Sequence, residues 1–148
     1  KKKNKVSFSK PITMGKRIWG EEILLNRIPK LLTLKLLKIK KNKKGGLQFH
    51  RKKNECGYIL SGKLKVRFIV KGKIKSKILR AGDSFSFPPR AIHQEEALSD
   101  CQIIEASSAH FNDRVRVEKK FGIKDAEGLP TTRRKDIKYL WSVNDTKI

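Results

Sequence analysis

Two cysteines, Cys56 and Cys101, are all that the 148 residues contain, and no C-x-x-C spacing joins them. That removes a disulfide framework, and both read as reduced, small apolar residues, with Cys56 pointing away from the side its neighbour Glu55 faces. No apolar run approaches membrane-spanning length, and the Lys1-Lys2-Lys3 start is not followed by the apolar stretch of a signal peptide, so a soluble cytoplasmic protein without membrane contact is expected. A glycine-rich phosphate loop is missing, which leaves a nucleotide site without support. Internal repeats are missing too, and the length suits one domain. Acidic residues are scarce: 14 Asp and Glu stand against 37 Lys and Arg, for a net charge of +23. Such a field attracts phosphorylated metabolites, nucleic acid or anionic surfaces without choosing among them, and the abundance of Lys, Ile and Asn also fits a compositional bias of the source genome. No aromatics interleave with the lysines between Lys63 and Lys77, so single-stranded bases have no stacking platform and nucleic acid is not expected as a partner.

What remains reads as short strands separated by Gly, Pro, Asn and Lys turns, the pattern of an antiparallel sandwich or barrel. Leu64, Val66, Phe68 and Val70 alternate with Lys63, Lys65, Arg67 and Ile69. After a Lys71-Gly72 turn, Ile74, Ser76 and Ile78 alternate with Lys73, Lys75 and Lys77. The expectation is a hairpin with one apolar and one cationic face, six cations crowding the outer surface as solvated, edge-protecting charge. Leu31 to Lys40 suits either a basic amphipathic helix or a strand. Arg80-Ala81-Gly82-Asp83 is a turn into Phe85 and Phe87, and Pro88-Pro89 breaks the ladder before His93. Residues 1–122 are expected to form the folded domain with an amino-terminal arm. Residues 123–148 form an extension whose Tyr139, Leu140 and Trp141 are apolar enough to pack on the barrel or a partner subunit, with Asp136 to Trp141 as a short helix or docking strand.

Against that background, two of only three histidines fall at spaced positions within strand-like segments. Gln48 and His50 lie two apart, so they share one face of a strand, with Phe49 on the other. Glu55 follows a four-residue connection and can return a carboxylate to the same side, and His93 completes the cage. Two nitrogen and two oxygen donors suit one divalent ion, Zn²⁺ first, with Mn²⁺, Fe²⁺, Co²⁺ and Ni²⁺ in the same class. A histidine that serves only as a hydrogen-bonded strand residue is the plainer alternative, as is a polar pocket without metal. His110 lies outside the pattern, with a surface or supporting role.

At these residues the chain resembles the cupin superfamily. The Gln48, His50, Glu55 and Gly62 run is similar to the family's first motif, with glutamine for its first histidine and Asn42 at its leading glycine. Gly82, Pro88 and His93 match the second motif, where Arg90 stands for a glycine and Ala97 for an asparagine. The resemblance implies an all-β, double-stranded β-helix or jelly-roll barrel, and makes Leu31 to Lys40 a strand. Gln-x-His in place of His-x-His is similar to the mannose-6-phosphate isomerases. Trp19-Gly20 and the stretch Asp113 to Gly122 look like the opening and closing motifs of the isomerase domain of type II mannose-6-phosphate isomerase/mannose-1-phosphate guanylyltransferases, although Lys119, Phe121 and Ile123 depart from it.

That resemblance implies a metal-dependent aldose–ketose isomerase acting on a phosphorylated sugar. Gln48, His50, Glu55 and His93 would hold the ion, Arg116 would meet the phosphate or the transition state, and Lys53 is a second substrate contact. Glu95 shares the parity of His93 and is either the base or a rim carboxylate. A non-catalytic metal- or sugar-binding module is the alternative, and an iron-dependent cupin oxygenase is disfavoured by Gln48. Small cupins commonly pair through sheet edges, and outward Tyr58 and Leu60 fit a homodimer.

Overall fold

A computed structural model describes residues 4–133. Eleven strands run β1 (Ile12–Arg17), β2 (Gly20–Ile28), β3 (Leu32–Ile39), β4 (Gln48–His50), β5 (Glu55–Ser61), β6 (Lys63–Val70), β7 (Lys73–Arg80), β8 (Ser84–Phe87), β9 (His93–Ala97), β10 (Cys101–Ser108) and β11 (Arg114–Arg116), and one 3₁₀ turn (Glu118–Phe121) follows. They form a six-stranded sheet ordered β1-β2-β3-β10-β5-β8 and a five-stranded sheet ordered β11-β4-β9-β6-β7, with every pairing antiparallel. This is the all-β jelly-roll barrel of the cupin fold, and β3 is the strand that Leu31 to Lys40 left open. Among the described residues no helix is long and apolar enough to cross a membrane. The expected helix or docking strand at Asp136 to Trp141 lies outside the described residues.

Period-two alternation sends one residue of each pair inward, and the inward residues change character along the barrel. At one end Leu37, Ile103 and Ile59 face each other across β3, β10 and β5, and with Leu64, Val66, Leu79 and Phe87 they form the core. One step along the same strands the inward row becomes Lys35, Glu105 and Gly57, and the next Thr33, Ser107 and Glu55. The barrel is therefore closed by apolar packing at one end and opens into a polar cavity at the other. Apolar burial at the closed end, worth roughly 25 cal/mol per Å², carries the polar rows along with it.

The β6–β7 hairpin corrects the expectation of a single cationic face. Its turn is two residues long, Lys71 and Gly72, both at positive φ (49° and 75°), which sets Val70 opposite Lys73 and Leu64 opposite Leu79. Directly opposed residues share a face, so Lys73, Lys75 and Lys77 lie on the side of Val70, Phe68 and Val66, while Lys63, Lys65 and Arg67 lie on the other. The six cations are split between two faces, and the like charges that oppose one another directly across the hairpin are Lys63 and Arg80 at its open end.

Candidate functional site

His50, Glu55 and His93 come from β4, β5 and β9, and their ligand atoms all lie within 4.8 Å of one another. His50 Nε2 is 3.4 Å and His93 Nε2 3.2 Å from the same oxygen, Glu55 Oε1. Each ring is turned by its other nitrogen. His50 Nδ1 donates to Asp113 Oδ1 at 3.0 Å, and His93 Nδ1 donates to the Ala91 carbonyl at 2.9 Å, so both Nε2 lone pairs face the shared point. Asp113 is fixed in turn, because its Oδ2 accepts from the backbone N–H of Lys52 (2.8 Å) and Lys53 (3.1 Å). Phe87 stacks on the His93 ring at 3.9 Å. Phe85 stacks on Phe87 at 4.6 Å and is admitted by Gly57, where any side chain would collide with its ring. Gln48 pairs with His93 across β4 and β9, so it projects to the same side and lines the same cavity. Two imidazoles, a carboxylate and an amide oxygen fit a borderline divalent ion.

The cavity encloses about 600 Å³. Within it, Lys53 Nζ sits 3.0 Å from Glu55 Oε2 and 3.6 Å from Glu105 Oε1. Burial opposes the charge on Glu55, but Lys53 and the two histidines outweigh it and hold the carboxyl well below its ordinary range. The same carboxylate, with Glu105, holds Lys53 protonated against its own burial. Burial also opposes protonation of His50, yet its bonds to Asp113 and Glu55 lift it above its usual value. Glu95, expected either as base or rim carboxylate, lines the cavity wall between His93 and the core, opposite Val66. Burial and the charge on Glu105 push it up to about 8, and burial with the charge on Glu55 pushes Glu105 up to about 7.

Arg116, expected to meet the phosphate, has its guanidinium directed elsewhere. It lies behind Gly46, where a Cβ would come within 2.7 Å of Nε. Nε donates to both Glu118 carboxylate oxygens (3.1 and 3.0 Å), Nη1 donates to the Leu129 carbonyl (3.3 Å), and Nη2 donates to Glu118 and the Ala126 carbonyl. Glu118 is fully buried only two residues on, and its Oε2 also takes the Ala126 N–H at 3.2 Å. Arg116 thus straps residues 126–129 across the barrel, and Glu127, Gly128 and Leu129 become part of the cavity rim. Cys56 is exposed on the outer side of β5 and Cys101 is buried, neither in a disulfide. His110 lines the cavity beside Ser108, whose hydroxyl lies 2.7 Å from its Nδ1.

The residues that local reasoning missed are those supplied from afar. Asp113 was within reach as the head of the closing motif, but nothing local ties it to His50, 63 residues earlier. Glu105 carried a weak signal, a charge at an inward position of β10. The far end of the cavity is built by Glu22, which accepts from Lys35 Nζ at 2.8 Å and from Arg17 Nε and Nη2 at 3.1 and 3.0 Å.

Residues 35–106 match the Cupin domain family. Over that stretch the chain is similar to cupin domains. Solved structures agree on the fold. KdgF from Halomonas sp. aligns with a TM-score of 0.59 at 21% identity, covering 69% of this chain and 94% of that one. An RmlC-like cupin from Shewanella frigidimarina gives 0.52 at 26% identity, covering 60% and 74%. The capsular polysaccharide assembling protein CapF from Staphylococcus aureus gives 0.56 at 18% identity, covering 68% of this chain and 29% of that one. No curated protein matches the sequence. Asn42 and Arg90, at two positions where the cupin motifs carry glycine, both keep the left-handed backbone a glycine would take, with φ of 67° and 69°.

Proposed function

We propose that this cupin is a metal-dependent isomerase of a phosphorylated sugar. The observation that carries the reading is the convergence of His50 Nε2 and His93 Nε2 on one oxygen of Glu55, inside a cavity large enough for a monosaccharide. Gln48, His50, Glu55 and His93 would hold the ion, which supplies Lewis acidity toward a sugar carbonyl. Asp113 and the Ala91 carbonyl keep the two imidazoles in the tautomer that presents Nε2. Half-buried Glu95 on β9 and buried Glu105 on β10 bring two carboxyls to the cavity from the two sheets, groups able to hold or release a proton beside a bound carbonyl. The sequence resemblance through Trp19-Gly20 and Asp113 to Gly122 supports the mannose-6-phosphate isomerase branch.

The test pairs elemental analysis of the purified protein with a coupled assay for conversion of mannose 6-phosphate to fructose 6-phosphate. About one ion per chain, lost in His50→Ala and in His93→Ala, is expected because each change removes a first donor from the cage. Metal content that is the same in both variants as in the parent overturns the assignment.

One observation favours a second reading, a sugar-binding module without turnover. Lys53 already gives Glu55 a cationic partner at 3.0 Å, the charge that a metal would otherwise supply. A metal-free protein that binds the sugar phosphate without converting it would establish this alternative.

A further inference from the structure

Resting on the reading of the cavity as a ligand site, we propose that Arg114 is its anion anchor, so that the ligand carries a phosphate or carboxylate in addition to its metal-facing group. Arg114 stands directly opposite His50 in the β4–β11 register. Opposed residues of an antiparallel pair place their Cβ atoms roughly 4.5–5.5 Å apart on one face, and Arg114 accordingly lines the same cavity. Arg116, the next residue of the same parity, is saturated by Glu118 and two carbonyls.

Arg114 differs from it sharply. It donates one hydrogen bond, from Nη2 to the neutral Asn112 Oδ1 at 3.0 Å, and among the described residues it forms no ion pair. A guanidinium has five donors in a planar fork, so most of this one is left for a guest. The surrounding charges do not satisfy it either. Glu22 and Asp113 are the carboxylates whose charge it feels; Glu22 is bonded to both Lys35 and Arg17, and Asp113 to His50 and the N–H groups of Lys52 and Lys53. Both carboxylates are thus already bonded to other groups, which leaves the Arg114 guanidinium without an ion-pair partner among the described residues. Elsewhere on the lining Lys53 pairs with Glu55 and Glu105, Glu95 adds a further carboxyl, and Glu127 lies on the rim strap. The lining thus offers one cation with open donors beside carboxyls and imidazoles, and a ligand with one anionic group for Arg114 and hydroxyl or carbonyl oxygens for the rest matches it.

Isothermal titration with mannose 6-phosphate and with glucuronate, each against its uncharged parent mannose or glucose, distinguishes a phosphate ligand from a carboxylate one. The proteins are the wild type, Arg114→Gln, Arg114→Lys and a surface control, Lys75→Gln with Lys77→Gln, run both metal-stripped and with Zn²⁺ added. At least one anion should bind the wild type more tightly than its parent. That affinity should fall roughly tenfold or more in Arg114→Gln, as expected for losing a charge-assisted bond, and by less in Arg114→Lys. The surface control should bind as the wild type does, and Zn²⁺ content should not change in any of them. Equal affinity of Arg114→Gln and wild type for both anions, an equal loss in the surface control, or no preference of the wild type for either anion overturns the inference. Because the metal-stripped arm reads Arg114 alone, failure to find metal or turnover removes the isomerase reading and leaves this result standing. Far-ultraviolet circular dichroism of both Arg114 variants guards against misfolding, and where the glutamine form does not fold the lysine form carries the comparison.

Discussion

At the scale of single residues, the site depends on groups that never touch a ligand. Asp113 is 1% exposed, accepts from His50 Nδ1 and is bound by two backbone N–H groups. Asp113→Asn keeps the shape but removes the charge that fixes the tautomer. It should lower Zn²⁺ affinity by about 10–100-fold with little change in fold, and an unaltered dissociation constant in a competition titration would contradict that role. Arg90 presents the opposite case, a residue at odds with its backbone. Its φ is 69°, its side chain is exposed, and its N–H donates to the His50 carbonyl at 2.8 Å. Left-handed backbone costs a side chain about 1–2 kcal/mol, and glycine returns about 0.4–1 kcal/mol of that through the freer unfolded chain. Arg90→Gly should therefore stabilise the protein by about 0.5–1 kcal/mol, seen as a higher melting temperature. A lower one would mean that the guanidinium makes a contact worth more than the strain.

At the scale of elements, the outer face of the six-stranded sheet stands apart from the rest of a highly charged surface. Ile23, Leu36, Ile104 and Tyr58 oppose one another directly across β2, β3, β10 and β5. Leu34, Ala106 and Cys56 form the row beside them, and Leu60 is 42% exposed nearby. A chain of net charge +23 meets a second copy of itself at least cost through a face poor in lysine, and across these rows the cation is Lys38, set at one side opposite Glu21 and Gln102. A homodimer through this sheet is expected by analytical ultracentrifugation at micromolar concentration, and Leu36→Lys should shift it to monomer. A monomeric wild type would refute the arrangement.

At the scale of the whole molecule, the open end of the barrel is tied together by charge where the closed end is tied by apolar packing. Glu22 on β2 joins Arg17 on β1 and Lys35 on β3, and Lys35 Nζ also lies 5.3 Å from the Phe111 ring centroid. Burial alone would raise the Glu22 carboxyl, but Lys35 and Arg17 outweigh it and bring the group from 4.5 down to about 2. A depressed carboxyl contributes stability that is present above its unfolded value and is lost as pH falls through the folded one. Stability should therefore drop between about pH 4.5 and pH 2 by up to about 3 kcal/mol from this group. Glu22→Gln should flatten that acid limb in urea unfolding, and parallel limbs in the two proteins would show that other groups govern it.

Much of this was legible in the chain itself, for reasons that are local. Alternation of apolar and polar side chains follows from backbone geometry, so the strands, the all-β class and the shared face of Gln48 and His50 could be read directly. The split of the hairpin cations was legible as well, since a two-residue turn at Lys71-Gly72 dictates that odd residues of β6 oppose even residues of β7. What no local pattern reaches is which distant strands become neighbours. Asp113 meets His50 and Glu118 takes Arg116 because β11 docks on β4. That same docking leaves Arg114 facing the cavity with all but one of its donors unassigned, although the sequence offers two arginines of equal parity. Motif spacing selected the candidate metal-site residues; the register of sheets closed between distant segments decided which charges orient them, which are neutralised, and which face the cavity unpaired.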